Sequence, residues 1–273
     1  MSAVSSTPSH WTDFAKRWDL IGAPLRPSSL DLAIVADVVA ELVLENPHRG
    51  LRVLILGVTP EYARFPWPLK TTLIACERSE TMIRHVWPGS TLENASVIHG
   101  TWLDLDASLG KFDLVLGDGI LTQLSFQEEY NELSRRISAL LAPGGRLMLR
   151  LFTSSEAPQT PESVLKDSAV SNFNEFKLRL GMALSESRSS YDIPVAEIWK
   201  VWDRERKQQP ELNQRWSAAE VSTIESYRES TAKYSFPPLH HIQTTLSRHF
   251  NFVKLHVPNY VFGKSCPTMI LQV

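Results

Sequence analysis

Residues 52–77 read RVLILGVTPEYARFPWPLKTTLIACE, and this stretch decides the fold class. It opens with a short run of branched apolar residues that ends at Gly57, which is typical of a strand buried on both faces. Pro60 suits the first turn of a helix, because that position needs no backbone N–H donor. A second apolar run ends at Glu77. This order predicts a doubly wound α/β sheet that holds a nucleoside beyond the carboxyl ends of its strands.

The rest of the first half of the chain continues the alternation of strands and helices. Further strands are predicted at residues 95–99, 112–116 and 146–152, and the terminal segments FNFVKLHVPNY and PTMILQV supply the last ones. A helix capped by Ser28 or Ser29 precedes the first strand. A capping box at residues 125–128 is expected to start the helix before the fifth strand. The sequence therefore predicts one α/β sheet.

Five ordered segments make the chain resemble the class I S-adenosylmethionine (SAM) dependent methyltransferases. They are LILGVTPE, LIACERSETMI, VIHGTWLDLD, KFDLVLGDGILTQL and ALLAPGGRLMLRLF, and they span residues 50–152. The family has several glycines after strand one and an acid two residues before the first of them. Here Ile55 takes the acid position, while Thr59 and Glu61 replace later glycines, and LGVTPE is similar to a bacterial branch of the family. The resemblance implies a Rossmann-like seven-stranded sheet and SAM as the cofactor.

The resemblance also implies which residues bind SAM. Glu77 would accept hydrogen bonds from both ribose hydroxyls, and Thr101 and Trp102 would read the adenine edge. Two glycines around Asp118 permit a close backbone approach to the methionine end. The alternatives are that Trp102 only packs over the sheet end and that Asp118 is a turn residue bonded to local amides. The expected cofactor-binding residues are Gly57, Thr59, Glu77, Arg78, Thr101, Trp102, Asp118 and Gly119.

Two residues are expected to provide the catalytic geometry. Asp118 would replace the amine-binding acid that is missing at Ile55. Arg26, on a loop before the first core helix, would fork onto the SAM carboxylate, unless it is an ordinary surface arginine. Arg150 is unusual inside a strand, and is either an active-site group or a charge that leaves at the strand edge.

Aromatic residues outside the five segments predict helices above the sheet. Trp11, Phe14, Ala15 and Trp18 follow helical spacing, so they indicate an amphipathic helix that crosses the cofactor or packs as an ordinary N-terminal helix. Helical patterns recur within residues 153–250, where the family has a far shorter link, so an inserted helical lid over the strand ends is expected. Its aromatic residues would surround the SAM sulfonium or form the packing core of the lid.

The chain is therefore expected to have four parts. They are an N-terminal helix and loop over the cofactor (1–28), a SAM-binding core (29–152), the lid between strands five and six (153–250) and the last two strands (251–273).

The charge and the apolar content of the chain indicate which kinds of binding partner to expect. The chain has 28 Lys+Arg against 30 Asp+Glu and no basic cluster, so nucleic acid is not an expected partner. The N-terminus lacks a signal pattern and no apolar run approaches the ~20 residues that span a bilayer, so no membrane partner is expected. Cys76 and Cys266 lie in apolar runs and fit buried thiols in a reducing cytoplasm. No Cys/His/Asp spacing matches a metal site.

Three functions remain open at this point. The first is a methyltransferase that acts on a small molecule by in-line displacement. The second is a SAM-consuming cyclase of the same fold, similar to the azetidine-2-carboxylate synthases, in which the amino group of SAM attacks its own γ-carbon and releases methylthioadenosine. The third is a SAM-sensing or scaffold protein without catalysis. Their products separate them, because they yield S-adenosylhomocysteine (SAH), methylthioadenosine or neither.

Overall fold

The computed structural model of the chain describes residues 10–89, 93–154, 157–170, 172–186 and 188–273. The predicted lack of a signal pattern concerns residues 1–9, which lie outside the described residues. The strands are β1 (Arg52–Leu56), β2 (Thr72–Glu77), β3 (Ala95–His99), β4 (Phe112–Asp118), β5 (Leu141–Arg150), β6 (Asp192–Pro194), β7 (Lys233–Ser235), β8 (Asn251–His256) and β9 (Thr268–Gln272). The α-helices are α1 (His10–Lys16), α2 (Ser29–Glu45), α3 (Pro60–Ala63), α4 (Glu80–Val86), α5 (Glu128–Leu140), α6 (Pro161–Lys166), α7 (Phe173–Ser185), α8 (Val195–Gln208), α9 (Ala218–Ser222) and α10 (Leu239–Leu246).

A seven-stranded sheet with the order β3-β2-β1-β4-β5-β9-β8 forms the centre of the molecule. Strands β1 to β5 are parallel, while β9 runs antiparallel between β5 and β8. The direction of winding reverses between β1 and β4, which opens a crevice beyond the carboxyl ends of these two strands. The prediction of a doubly wound, seven-stranded Rossmann-like sheet is confirmed.

Both faces of the sheet are covered by helices, as the apolar runs predicted. Leu54 and Leu56 pack into one apolar cluster with residues of α5 and α10. Val53 and Ile55 point the other way and pack with residues of α2 and α4. Because successive side chains of a strand alternate between faces, a run without polar residues is what a strand buried on both faces requires.

Two local predictions along the core are corrected. Ser125 does not form a capping box with Glu128; instead its backbone N–H donates to Glu129 Oε2 at 2.6 Å, and α5 begins at Glu128. Strand β5 begins at Leu141, five residues before the predicted start, because Leu141 pairs with Phe112 of β4. An irregularity in the β4–β5 pairing then accommodates the Pro-Gly-Gly sequence at residues 143–145.

Residues 153–250 contain α6 to α10 and a small two-stranded sheet, β6–β7, which the sequence did not predict. Helix α9 is followed directly by a 3-10 turn at Thr223–Tyr227. Helix α10 packs against the sheet and α5 rather than with the helices before it. By packing, α10 therefore belongs with the core sheet, and the division of the chain with a lid at residues 153–250 stays a prediction.

Candidate functional site

A pocket lies beyond the carboxyl ends of β1, β2 and β4, and contains about 800 Å³ of unfilled space, including its opening to solvent. Two walls enclose it. The strand-end wall consists of Leu56, Gly57, Val58, Thr59, Glu77, Met82, Trp102, Asp118, Gly119, Ile120, Thr122, Gln123 and Phe152. The aromatic wall consists of Trp11, Phe14, Trp18, Leu25, Leu178, Tyr227, Tyr234 and Phe236. The lining is mostly apolar with a few polar side chains, which is the usual make-up of a small-molecule site.

Gly57 and Glu77 face each other across one end of the pocket. Gly57 has φ +101°, a conformation that L side chains rarely adopt. A Cβ at this position would meet only Glu77 Oε2, at 3.9 Å, so the missing side chain leaves open space beside the carboxylate. Glu77 Oε1 accepts the backbone N–H of Ser79 at 2.8 Å. Burial raises the pKa of Glu77, and the bonds from the Ser79 and Arg78 amides oppose that rise.

Thr101 and Trp102 follow β3 and occupy different positions. Trp102 lines the pocket, and its Nε1 donates to the carbonyl of Cys76 at 2.8 Å. The indole therefore both packs over the end of β2 and contributes to the strand-end wall. The Thr101 hydroxyl instead accepts the backbone N–H of Leu103 at 3.3 Å, and Thr101 is not among the lining residues.

Asp118 ends β4 and forms a buried ion pair with Arg150 at the end of β5. Arg150 Nε lies 2.6 Å from Asp118 Oδ1, and the two residues are directly paired across the strands. Burial raises the pKa of Asp118 to about 6, although Arg150 pulls it down. Gly119 has φ +61°, and a Cβ there would lie 2.5 Å from the Phe152 ring. The pair explains why an arginine is tolerated inside a strand, and it excludes the alternative that Arg150 leaves at the sheet edge.

The other predicted site residues divide between the pocket and its surroundings. Thr59 lines the pocket, and its side chain makes no capping bond to α3. Arg78 is not among the lining residues. Arg26 also lies outside the lining; it forms an ion pair with Glu61 and donates to the carbonyls of Trp18 and Ile21. Arg26 thus ties a loop together in this structure, and its role as a fork onto a ligand carboxylate stays a prediction.

The aromatic wall is built from distant parts of the chain. Trp11 and Phe14 of α1 and the following Trp18 form a chain of edge contacts, with ring centroids 5.4 and 5.9 Å apart. Tyr227 and Tyr234 of the inserted region also meet edge to face, at 6.0 Å. Sequence reasoning identified these aromatics as a group but not which of them reach the pocket, because their spacing along the chain carries no such signal.

Sequence reasoning missed the polar contacts that hold the aromatic wall. His10 Nδ1 and Ser230 Oγ lie 2.9 Å apart, and Arg17 donates to the carbonyl of Ser222 at 2.9 Å. Lys177 is buried without a carboxylate partner in the part of the chain that the structure describes; its Nζ donates to Thr223 Oγ1 at 2.7 Å and lies over three aromatic rings. Burial lowers the pKa of Lys177 to about 7.

The described ranges contain no candidate metal site and no candidate membrane-spanning helix. No group of three or more His, Cys, Asp or Glu side chains there is placed to hold a metal ion. Cys76 and Cys266 are free and buried, as predicted. Among the described helices, none is both long and apolar enough to cross a bilayer. The cytoplasmic location stays a prediction.

Comparisons with known proteins bear on the fold. No protein-family model matches the chain, and no curated protein matches it in sequence. A Rhodobacter sphaeroides protein, described provisionally as a Zn-dependent alcohol dehydrogenase, is 16% identical with a TM-score of 0.54, and the match covers 98% of both chains. N-methyltransferase NodS from Bradyrhizobium japonicum WM9, in complex with SAH, is 11% identical with a TM-score of 0.49 over 96% of this chain and 97% of that one.

A third match is magnesium protoporphyrin IX methyltransferase ChlM from Synechocystis PCC 6803 with bound SAH. It is 14% identical with a TM-score of 0.48 over 96% of this chain and 95% of that one. At 16% identity, the match to the Rhodobacter sphaeroides protein supports the fold alone and not an activity. With its sheet order and its antiparallel β9, the chain has the Rossmann-like fold of the class I SAM-dependent methyltransferases.

Proposed function

We propose that the chain binds SAM in this pocket and is a SAM-dependent transferase, most concretely a methyltransferase of a small molecule. The observation that carries the proposal is the convergence of Gly57, Glu77, Trp102 and Asp118 on one cavity at the strand ends. Open space beside a buried carboxylate suits a ribose, since a carboxylate accepts hydrogen bonds from two hydroxyls. The absence of a Cβ at Gly57 lets a ligand approach the backbone there.

Each end of the ligand has a group to receive it. Glu77 accepts the ribose hydroxyls through the lone pairs that Ser79 leaves free, and Trp102 borders the adenine. Thr59 and Gly119 line the cavity between these groups and the methionine end, where Asp118 receives the amine. Thr101 and Arg78 lie behind this lining, so any contact they make with the ligand runs through their backbone or a rearranged side chain.

SAM, when bound, supplies a sulfonium whose attached carbons are electrophilic, so the chain needs no nucleophile of its own. The work of the protein is to align the acceptor, exclude water and take up a proton where the acceptor has one. Alignment alone contributes roughly 7–11 kcal/mol to such reactions. Glu77 and Asp118 hold the two ends of the ligand, and the aromatic wall keeps water out of the space between them.

The region formed by α1 and residues 153–236 is proposed to act as the lid that selects the small-molecule acceptor. Five of its aromatic side chains line the cavity directly, together with Trp18 just after α1; the five are Trp11, Phe14, Tyr227, Tyr234 and Phe236. Aromatic faces next to a sulfonium each contribute about 0.5–2 kcal/mol. Because aromatic side chains border the cavity, a small acceptor with apolar surface would fit it better than a polymer would.

One observation favours the cyclase as a second candidate. The described lining of the cavity contains no His, Lys, Arg or Cys side chain, so the titratable groups in it are Glu77, Asp118, Tyr227 and Tyr234. A site without an evident base for an external acceptor suits an enzyme that acts on SAM alone.

Product analysis tests the proposal and separates the candidates. The protein is incubated with SAM alone and then with SAM and a cell extract, and the products are identified by mass spectrometry. A methyltransferase yields SAH only when an acceptor is present. A cyclase yields methylthioadenosine and a cyclic amino acid from SAM alone. If neither nucleoside product forms under either condition, the proposal of a SAM-consuming enzyme is wrong.

A further inference from the structure

Asp118 and Arg150 are more buried and more tightly paired than an aspartate in an ordinary turn needs to be. The two residues are register partners at the ends of β4 and β5, and their side chains are 7% and 0% exposed. A buried ion pair is expensive to desolvate, so it usually contributes little to stability beyond what apolar residues of similar size give. Its retention beside a cavity suggests a role in the site rather than in the fold.

Arg150 is fixed from more than one side. Its Nη1 donates to the carbonyl of Pro24 at 2.8 Å, and its guanidinium lies 5.1 Å above the Phe152 ring. Both contacts involve groups next to the pocket, because Leu25 and Phe152 line it. The guanidinium is therefore held in one orientation by a backbone acceptor, an aromatic face and the carboxylate of Asp118.

Asp118 uses only one of its oxygens in this arrangement. Oδ1 accepts from Arg150, whereas Oδ2 makes no hydrogen bond within the described residues. Asp118 itself lines the pocket, so its unused acceptor capacity is available to a ligand there. Without a fixed cation behind it, a carboxyl buried to this degree would take up a proton and lose that capacity.

We infer that Arg150 is a positioning residue that keeps Asp118 ionised and oriented, so that its free oxygen can receive the cationic amino-acid end of the ligand. This rests on the proposed function, since the cation in question is the SAM amine. Arg150 contacts the carboxylate and not the ligand, and acts by fixing the charge and the rotamer of its partner. The inference gives a strand-interior arginine a function that neither packing nor surface charge explains.

The electrostatic surroundings of Asp118 make Arg150 the decisive neighbour. Burial raises the pKa of Asp118 to about 6, and Arg150 opposes this. The acidic side chains nearby act in the same direction as burial; the groups around the pair are Glu61, Asp31, Tyr62, Tyr260 and Cys266. Removing Arg150 leaves burial and the acidic neighbours unopposed, so the pKa of Asp118 rises further and the carboxyl is neutral at about pH 7.

The test compares two ligands with the same nucleoside, of which only SAM has the cationic end that Asp118 is inferred to receive, namely its amine together with the neighbouring sulfonium. SAM carries the amino-acid end, whereas methylthioadenosine has the same nucleoside without it. Affinities for both are measured by calorimetry at about pH 7 for the parent protein, for Arg150→Met and for Arg150→Lys. Arg146→Met is the matched control, since Arg146 lies on the same strand, is also largely buried and pairs with Glu45 far from the pocket.

Arg150→Met is expected to lose at least about tenfold in SAM affinity while methylthioadenosine binds as in the parent. Arg150→Lys, which keeps the charge, should retain most of the preference for SAM, and Arg146→Met all of it. The inference is overturned if Arg150→Met weakens both ligands alike or neither, or if Arg150→Lys loses as much as Arg150→Met. If the parent binds neither ligand, the proposed function fails instead.

A pH series on the parent decides the matter should Arg150→Met not fold. The ratio of SAM to methylthioadenosine affinity is expected to fall as the pH drops through about 6, where Asp118 becomes protonated. Titration of Glu77 cancels in this ratio, because both ligands carry the same ribose. A ratio that stays constant between about pH 5 and about pH 7 would mean that Asp118 does not act through a charge that Arg150 maintains.

Discussion

The two walls of the pocket differ in how the chain builds them. The strand-end wall comes mainly from the β1–β4 half, where each side chain sits at the end of a strand whose neighbours fix its position. The aromatic wall joins α1 to residues more than 200 positions away, through pairs such as His10 with Ser230 and Arg17 with Ser222. The first wall is a property of the fold, and the second is a property of this particular sequence.

This difference suggests that the two walls have separate roles, which mutations in each wall can test. In the proposed function, the buried carboxylates at the strand ends receive the common parts of a nucleoside ligand. A wall of rings held by a few polar contacts is positioned for whatever is specific to the reaction. We therefore expect changes in the strand-end wall to alter ligand affinity, and changes in the aromatic wall to alter stability and closure.

The largest effect is expected from Glu77→Ala. This change removes the acceptor for two ribose hydroxyls, and should weaken binding of SAM and SAH by about 1–3 kcal/mol, or roughly 5–150-fold, in calorimetry. Glu77→Gln keeps an acceptor for the Ser79 amide and so separates local folding from ligand binding. Glu80→Ala, on the exposed start of α4, is the control. Unchanged affinity in Glu77→Ala would show that Glu77 is not the ribose acid.

Asp118→Asn tests the other end of the strand-end wall. It keeps the shape of the side chain and removes its charge, so turnover should fall at least about tenfold, equivalent to roughly 1.4 kcal/mol of transition-state stabilisation. SAM binding should suffer more than SAH binding, because SAM carries the additional sulfonium charge. Steady-state kinetics and calorimetry measure both, with Asp37→Asn on the exposed face of α2 as control. Normal turnover and normal binding of both ligands would reduce Asp118 to a turn residue.

Lys177→Met tests the aromatic wall through stability. Burial lowers the pKa of Lys177 to about 7, far below its ordinary value, so the unfolded chain binds this proton more tightly than the folded one. The buried lysine therefore lowers the free energy of unfolding by its full amount below about pH 7. This destabilisation disappears as the pH rises towards about 10.5. Replacing Lys177 should raise stability by about 1 kcal/mol or more at about pH 7.

Thermal unfolding of Lys177→Met at several pH values measures this effect. The stability gained over the parent should shrink between about pH 7 and about pH 10, because removing the proton from Lys177 on folding requires less free energy as the pH rises. Lys166→Met, at the exposed end of α6, should change little at any pH. A gain that does not depend on pH would mean that Lys177 is not a buried charge.

The smallest effect is expected in hydrogen exchange of the inserted region. Amides in α7 and α8 should exchange more slowly with SAH bound than without it, because the ligand completes the contacts of the aromatic wall. Amides of β1 and β4 should change less, since they are buried on both faces already. If α7 and α8 exchange equally slowly with and without SAH, the inserted region is a rigid part of the structure and not a lid.

The sequence predicted the strand-end wall because its signals are local. A branched apolar run ending in Gly57, or two glycines around Asp118, specifies a strand end within a few residues, and parallel strands bring such ends together. Arg150 shows where local reasoning stops. The sequence shows that an arginine at this position in a strand is unusual, but only the register between β4 and β5 identifies Asp118 as its partner. The same limit applies to Ser125, whose capping partner proved to be Glu129.

The aromatic wall was beyond prediction for a physical reason. Aromatic residues at helical spacing fit both a packing core and a pocket lining, and here they do both: Phe173, Phe176, Trp202 and Trp216 pack against one another, while Tyr227 faces the cavity. Which ring goes where depends on contacts between distant segments. Arg26 illustrates the same point, because the sequence does not reveal its contacts with Glu61 and two backbone carbonyls, which hold it outside the cavity lining.

The central claim is that the cavity between the two walls is a SAM site organised by Glu77. Isothermal calorimetry of the parent and of Glu77→Ala with SAM and with SAH tests it most directly. The account predicts micromolar or tighter binding of both ligands to the parent, and a matching loss for both in the variant, because the ribose is common to them. No heat and no thermal shift with either ligand, in a parent protein that is folded, would contradict it.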